Sequence, residues 1–207
     1  MKQINQFINE YIVKKKLDKP IDSEYKYHPQ TKEELIENIK KLLDKEETNF
    51  NCIDTSAITD MSFLLLNINV IIDNIDVSNW DVSNVINMEG LFNNCKKFNC
   101  DLSKWDVSNV KDMSYMFYNC GNFDCDLSKW DVSKVENMYT MFEGCSKFKG
   151  KGLENWNVSK VENISYMFFD CINFDCDLSN WNVNNVKNME RMFYNCNLKN
   201  TPKWYKE

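Results

Sequence analysis

The chain has 207 residues, a net charge of −6, and 43% hydrophobic residues. That hydrophobic fraction supports a packed core and excludes an intrinsically disordered chain. The acidic balance argues against a general nucleic-acid binder, whose affinity comes from lysines and arginines set against phosphates.

The first 50 residues lie outside the repeated part of the sequence and predict an N-terminal helical cap, residues 1–50. Apolar residues from Ile4 to Ile12 follow the spacing of an amphipathic helix. A second helix is predicted over residues 32–44, where Thr31 and Glu34 form a capping box. Such a cap is expected to cover the apolar end of a repeat array.

Tryptophan recurs at intervals of 25, 25, 26 and 25 residues, and each one opens the same phrase: Trp80, Trp105, Trp130, Trp156 and Trp181. Self-similarity at a fixed period of this length indicates an array of stacked units. We therefore predict five to six coils over residues 51–200 and a C-terminal tail over residues 201–207.

Two periodicities alternate within each repeat. The segment from Leu102 to Val107 is short and bounded by polar residues, as in a strand, whereas Met113, Met116, Phe117 and Cys120 have helical spacing. The residue before the first methionine suits a helix N-cap in every coil: Asp60, Asn87, Asp112, Asn137, Asn163 and Asn188. The predicted fold is an α/β solenoid, a leucine-rich-repeat-like stack of coils that each contain one strand and one short helix.

Cysteine and histidine are the residues that most often carry chemistry. Five of the nine cysteines share one repeat position and three share another, which favours buried thiols; a disulfide between Cys100 and Cys125, or a metal site, are the alternatives. The sole histidine, His28, lies outside the array, and no glycine-rich phosphate loop is present. We expect no catalytic activity, no cofactor and no metal.

Aspartates recur in two registers, one through Asp101, Asp126 and Asp177, the other through Asp106 and Asp131. The first register, with its neighbouring serines and lysines, is the predicted partner-binding surface: Asp101, Ser103, Lys104, Asp126, Ser128, Lys129, Asp177 and Ser179. Stacked carboxylates repel, and a cation, a basic partner or the lysines would relieve them. The alternative is that each Asp-x-Ser segment bonds its own backbone at a turn.

The phrase from Phe123 to Ser133, followed by Val135, Met138, Met141, Phe142 and Cys145, resembles the repeat of BspA-like leucine-rich-repeat surface proteins. It is also similar to the related repeat of mycoplasma lipoproteins and spirochaete proteins. The resemblance covers residues 53 to 198 and implies adhesion or interaction at a bacterial surface, with no catalytic residues.

Two functions follow as hypotheses. The first is a monomeric, non-catalytic protein-binding module that acts in adhesion or host interaction. The second is a cytoplasmic scaffold or inhibitor of the same architecture, which the absence of a recognisable signal sequence or membrane span favours. A hydrolase built around His28 is a weaker third.

Overall fold

A computed structural model describes residues 25–68 and 74–206 of the protein. The helix predicted near Ile4 to Ile12 lies outside the described residues. The second predicted helix is confirmed as α1, Lys32–Leu43. Its N-cap is Thr31, whose side chain accepts the Glu34 amide at 3.2 Å. The Glu34 carboxylate accepts the amide of Gln30 rather than that of Thr31, at 2.7 Å.

The α/β architecture predicted for the repeats is wrong. In the described residues there is no β-strand, and regular structure is confined to α1 and two 3-10 helices, Leu66–Ile68 and Leu153–Asn155. Successive repeats meet instead in single parallel bridges, which pass from Asp60 to Asn87, Asp112, Asn137, Asn163 and Asn188. The chain is therefore a stack of turns, neither a leucine-rich-repeat solenoid nor a sheet.

Tight turns replace the predicted strand. The amide of Trp105 donates to the Leu102 carbonyl at 3.1 Å, and the amide of Val110 to the Val107 carbonyl at 2.9 Å. Each turn is preceded by an aspartate, Asp101 or Asp106, whose side chain accepts the amide two residues later. The Asp-x-Ser sequence thus gives the backbone a local partner that competes with strand pairing.

Left-handed residues replace the predicted short helix. Tyr115 and Asn119 have φ of 56° and 57°, and an α-helix cannot continue through such residues. The predicted N-cap bond forms nevertheless, since Asp112 accepts the Ser114 amide at 2.8 Å. The cap is therefore right and the helix after it is wrong. Asn94, Asn119, Gly144, Asp170 and Asn195, which close the same segment in successive repeats, all have positive φ.

Alternate amides of this segment point at the next repeat. Met113, Tyr115, Phe117 and Asn119 donate to the carbonyls of Asn137, Tyr139, Met141 and Glu143 at 2.7 to 3.0 Å. The same pattern links the repeats before and after. Since almost every buried amide must find a partner, these bonds fix both the distance and the register between repeats.

The tryptophans lie in one file through the stack. Trp130 is 4% exposed, and its ring is stacked on Trp105 at 6.5 Å and on Trp156 at 6.4 Å, with interplanar angles of 2° and 4°. Its Nε1 donates to the Leu102 carbonyl at 3.2 Å. Trp204, beyond the regular spacing, extends the file by stacking on Trp181 at 6.2 Å.

Two phenylalanines per repeat fill the rest of the interior. Phe117 stacks on Phe142 of the next repeat at 5.5 Å and on Phe123 of its own repeat at 4.0 Å. The apolar residues that recur at fixed offsets from each tryptophan are buried, or partly buried in the last repeat; after Trp105 their exposures are 0 to 1%: Val107, Val110, Met113, Met116, Phe117, Cys120, Phe123 and Leu127. The predicted limits 1–50, 51–200 and 201–207 stay predictions.

Replacing Trp130 by alanine removes a ring stacked on both sides and one of the two donors to the Leu102 carbonyl, which keeps only the Trp105 amide. We expect the free energy of unfolding to fall by about 3 to 5 kcal/mol, as measured by urea denaturation. Lys129→Ala, one residue away on the exposed surface, is the matched control and should change stability by less than about 0.5 kcal/mol. Equal losses of unfolding free energy in the two variants would contradict the stacked, buried position of Trp130.

Gly90 occupies a left-handed position at φ 58°, where an added Cβ would lie 2.4 Å from the Phe63 ring. Gly90→Ala is therefore expected to lower stability by about 1 to 3 kcal/mol, from the backbone conformation and the displaced ring together. Gly121→Ala is the control, because its Cβ would meet no atom closer than 3.7 Å. A neutral Gly90→Ala would contradict the left-handed turn.

Candidate functional site

The predicted partner-binding residues lie at equivalent positions of three repeats. We call this surface the Asp–Ser edge: Asp101, Ser103, Lys104, Asp126, Ser128, Lys129, Asp177 and Ser179. Their aspartates serve the fold. Asp101, Asp126 and Asp177 each accept the amide of the serine two residues later, at 2.9 Å. Most of the edge is exposed, with Ser103 and Asp126 half-buried, and its carboxylates already accept hydrogen bonds in turns.

Lysines neutralise this edge further. Asp126 pairs with Lys151 at 2.7 Å, and this contact, ahead of the bonds from Ser128, holds the pKa of Asp126 well below its usual range. Bonds from the Ser103 amide and side chain lower the pKa of Asp101, and Lys129 and Lys104 add to the effect. The Lys104 ammonium donates to the Asn79 side chain at 2.7 Å. Hydrogen bonds and lysines thus relieve the repulsion that suggested a cation site.

The second aspartate register makes the same turn with either side chain. Asp131 accepts the Ser133 amide at 3.0 Å, and Asn157 accepts the Ser159 amide at 3.2 Å. A neutral amide oxygen therefore replaces the carboxylate in the later repeats. This interchange identifies the aspartate here as a turn residue.

The cysteines, all of which lie in the described residues, are thiols. The thiol of Cys145 donates to the Phe117 carbonyl of the preceding repeat at 3.0 Å, and burial raises its pKa well above the usual value. Cys120, Cys171 and Cys196 make the equivalent bond. Within residues 25–68 and 74–206, no cluster of His, Cys, Asp and Glu could hold a metal ion.

His28 lies on the surface near the N-terminal end of the stack. Its Nδ1 is 3.4 Å from an Asp54 carboxylate oxygen, and the other oxygen of that carboxylate accepts the Ser56 amide at 3.1 Å. Although burial raises the pKa of Asp54, hydrogen bonds from Ser56 and His28 outweigh it, so the net pKa is lowered.

A surface that the sequence analysis missed lies over the left-handed segments. We call it the aromatic face, formed by Tyr115, Tyr118, Tyr139, Tyr166, Phe169 and Tyr194. The rings make a continuous chain of contacts: Tyr115 meets Tyr139 at 5.0 Å, Tyr139 meets Tyr166 at 6.1 Å, and Phe169 meets Tyr194 at 4.8 Å. The first five rings are half-buried, and Tyr194 is 53% exposed.

Carboxylates border the aromatic face. Burial raises the pKa of Glu89, and the charges of Asp112 and Asp60 raise it further. Burial raises the pKa of Glu143 too, with a contribution from Asp170. Both groups therefore lie where a negative charge is poorly solvated and is repelled by its neighbours.

The same carboxylates act on the Tyr115 hydroxyl. Its pKa is raised to about 12, first by burial, then by the Tyr139 hydroxyl and by the charges of Glu89 and Glu143. At the far end, the Tyr166 hydroxyl donates to the Glu190 carboxylate at 3.0 Å. The face thus combines half-exposed rings with negative charge.

The aromatic face was missed because repeat analysis selects positions that stay constant. Tyr115 has Gly90 and Thr140 at its position in the neighbouring repeats, and Tyr139 has Ser114 and Ser165. A large residue alternates between these two positions from one repeat to the next. That alternation would predict the aromatic face from the sequence, but only once the two positions are known to lie on one surface.

The sequence was compared with models of known protein families. A family model described as "Mycoplasma protein of unknown function, DUF285" matches residues 33–152 and 122–205. The chain belongs to this family. No curated protein and no solved structure matches the chain.

The family description assigns no activity. As for a membrane, the described part of the chain contains no helix with the length and apolar character needed to cross one.

Because the pKa values of Asp101, Asp126 and Asp177 are lowered in the folded protein, the free energy of unfolding should decrease in acid. A group whose pKa is lower in the folded state contributes stability above its unfolded pKa of about 3.9, and that stability is lost as the pH falls through the folded pKa. We expect the stability that these aspartates contribute to be constant above about pH 5 and to be lost as the pH falls below about 4. Urea denaturation across this range measures it.

The matched variant is D101N/D126N/D177N, which keeps the acceptor oxygens, as Asn157 does in its own turn. Its stability should change less steeply with pH below pH 4 than that of the wild type, because three titrating groups are gone. The alanine triple variant should be weaker at every pH. Identical slopes for wild type and the asparagine variant would contradict this role of the carboxylates.

Proposed function

We propose that the protein is a non-catalytic protein-binding module that uses the aromatic face, in the manner of BspA-like bacterial surface proteins. The observation that carries the proposal is the continuous chain of half-exposed rings from Tyr115 to Tyr194. Tyrosine is enriched at protein interfaces because its ring contributes apolar contact area while its hydroxyl remains hydrogen-bonded.

The stack itself does not need these rings. Ser114 and Ser165 stand where Tyr139 stands, each beside a large aromatic residue, and Thr140 stands where Tyr115 stands. The hydrogen bonds between repeats form at all of these positions, since Tyr115, Thr140 and Tyr166 each donate to the next repeat at 2.9 to 3.0 Å. Side chains that the fold does not require are available for a partner.

The backbone beneath the face also favours binding. Because alternate amides are hydrogen-bonded to the next repeat, the rings are held at fixed separations before any partner arrives. A preorganised surface loses less conformational entropy on binding than a mobile loop does. Large aromatic side chains on a rigid support are the residues from which interface hot spots are most often made.

The cellular location decides between two forms of this binding function. The repeat is similar to that of mycoplasma surface lipoproteins, which favours adhesion, while a cytoplasmic scaffold or inhibitor would use the same face. Cell fractionation separates the two, because recovery of the protein only in the cytosol would exclude adhesion.

The binding test compares the wild type with two variants. The face variant, Y115T/Y139S/Y166T, substitutes residues that the chain itself carries at those repeat positions. The edge variant, K104N/K129N, alters the surface predicted from sequence alone and introduces asparagine, as at Asn180. Each protein is immobilised and exposed to purified matrix proteins and to extract of its own cells, after thermal melting has verified that it is folded.

We expect the wild type and the edge variant to retain the same specific partner and the face variant to lose at least about 90% of it, a loss of more than tenfold in affinity. Loss in the edge variant alone would move the site to the Asp–Ser edge. Failure of the wild type to retain anything above background would refute the binding function.

A further inference from the structure

The aromatic face is acidic. None of the chain's 25 basic residues falls in the segments that form its centre, 88–94, 113–119, 138–144 and 164–170. These segments contribute Glu89, Glu143 and Asp170, and Asp60 and Asp112 flank them. In the repeats beyond residue 95, the lysines lie outside these segments.

The positive charges that face this surface lie at its two ends. Lys32 is 3.4 Å from an Asp60 carboxylate oxygen and 2.7 Å from the Ser62 hydroxyl, and its charge acts on Glu89. Arg191 lies beside Glu190 at 3.7 Å and acts on Tyr166. Between these ends, the charge of the face is negative and lacks an internal counter-ion in the described residues.

Rings beside carboxylates are suited to one class of ligand. A lysine or arginine side chain packs its apolar stem, or its guanidinium plane, on an aromatic ring and keeps its charge beside a carboxylate. A nucleic acid would be repelled by the same carboxylates. A metal ion would need three or more ligands in one place, and the described residues bring together no such set.

The spacing of the rings points to the conformation of the ligand. Neighbouring rings along the face lie 5.0 Å and 6.1 Å apart, between Tyr115 and Tyr139 and between Tyr139 and Tyr166. Alternate side chains of an extended segment are about 6.7 Å apart and point to the same side. An extended segment can therefore present one side chain to each repeat.

We infer that the aromatic face binds an extended protein segment in which lysine or arginine alternates with small residues. This inference rests on the proposed function, because it names the partner chemistry of the same face. Cationic side chains of the segment contact the rings of Tyr115, Tyr139 and Tyr166 and lie beside the carboxylates of Glu89 and Glu143. Binding relieves the repulsion among those carboxylates.

The test uses fluorescent twelve-residue peptides and fluorescence anisotropy. The first peptide alternates lysine with serine, the second carries acetyl-lysine in place of lysine, and the third carries glutamate. Acetyl-lysine keeps the apolar stem and removes the charge, so it separates cation binding from apolar contact.

Two variants separate the face from the net charge of the chain. E89Q/E143Q removes two carboxylates from the aromatic face, while D101N/D126N removes two from the Asp–Ser edge and changes the net charge equally. Both should remain folded: Glu89 and Glu143 are half-buried groups whose ionised form is disfavoured by burial, and asparagine keeps the turn bonds at Asp101 and Asp126.

We expect the lysine peptide to bind the wild type about tenfold more tightly than the acetyl-lysine peptide, and the glutamate peptide not to bind. Y115T/Y139S/Y166T and E89Q/E143Q should each weaken binding of the lysine peptide by about tenfold and threefold, respectively, while D101N/D126N should leave it unchanged.

Three outcomes would overturn the inference. Equal binding of the lysine and acetyl-lysine peptides would show that charge is not recognised. Equal losses in E89Q/E143Q and D101N/D126N would show attraction to an acidic chain as a whole. No binding of the lysine peptide would exclude this ligand, yet specific capture of another protein through the aromatic face would still support the proposed function.

Discussion

The hydrogen bonds between alternate amides of one repeat and the carbonyls of the next are the constraint on which the structure depends. Met113, Tyr115, Phe117 and Asn119 all direct their amides to the next repeat, and Tyr115 and Asn119 adopt the left-handed conformation. An α-helix directs its amides along its own axis, so it could not form these bonds. A strand could, since its alternate amides point to the same side. The repeat combines these bonds with tight turns, which the amides of Met116 and Tyr118 close onto the carbonyls of Met113 and Tyr115.

Once that register is fixed, each residue lies over its equivalent in the next repeat. The side chain at each core position must therefore pack against the equivalent side chain of the next repeat. Flat aromatic rings do this well because they stack, and the indole planes of Trp105 and Trp130 differ by only 2°. The interval from Trp130 to Trp156 is one residue longer than the others, so the chain must accommodate an extra residue there while the two rings remain stacked. Gly150 and Gly152, both left-handed, absorb it before the 3-10 helix Leu153–Asn155, and a Cβ on Gly152 would lie 2.2 Å from the Ser128 backbone.

The sequence predicted the contents of the stack better than its secondary structure. The tryptophan file and the buried columns follow from repetition alone. The helix was wrongly predicted because Met113, Met116 and Phe117 have the same spacing in a helix and in two successive tight turns. Tyr115 and Thr140 give no warning of a left-handed backbone, since their residue types usually avoid it. Only the contacts with the next repeat stabilise it there.

The same physics explains why the predicted site and the aromatic face differ. The aspartate that recurs in most repeats, such as Asp101 and Asp126, recurs because the turn uses it, and one of its oxygens is hydrogen-bonded within the fold. A position that varies between serine and tyrosine, such as that of Tyr139, is one that the stack leaves open. In a chain built from copies, recognition is therefore more readily placed where the copies differ, over a backbone that every copy keeps rigid.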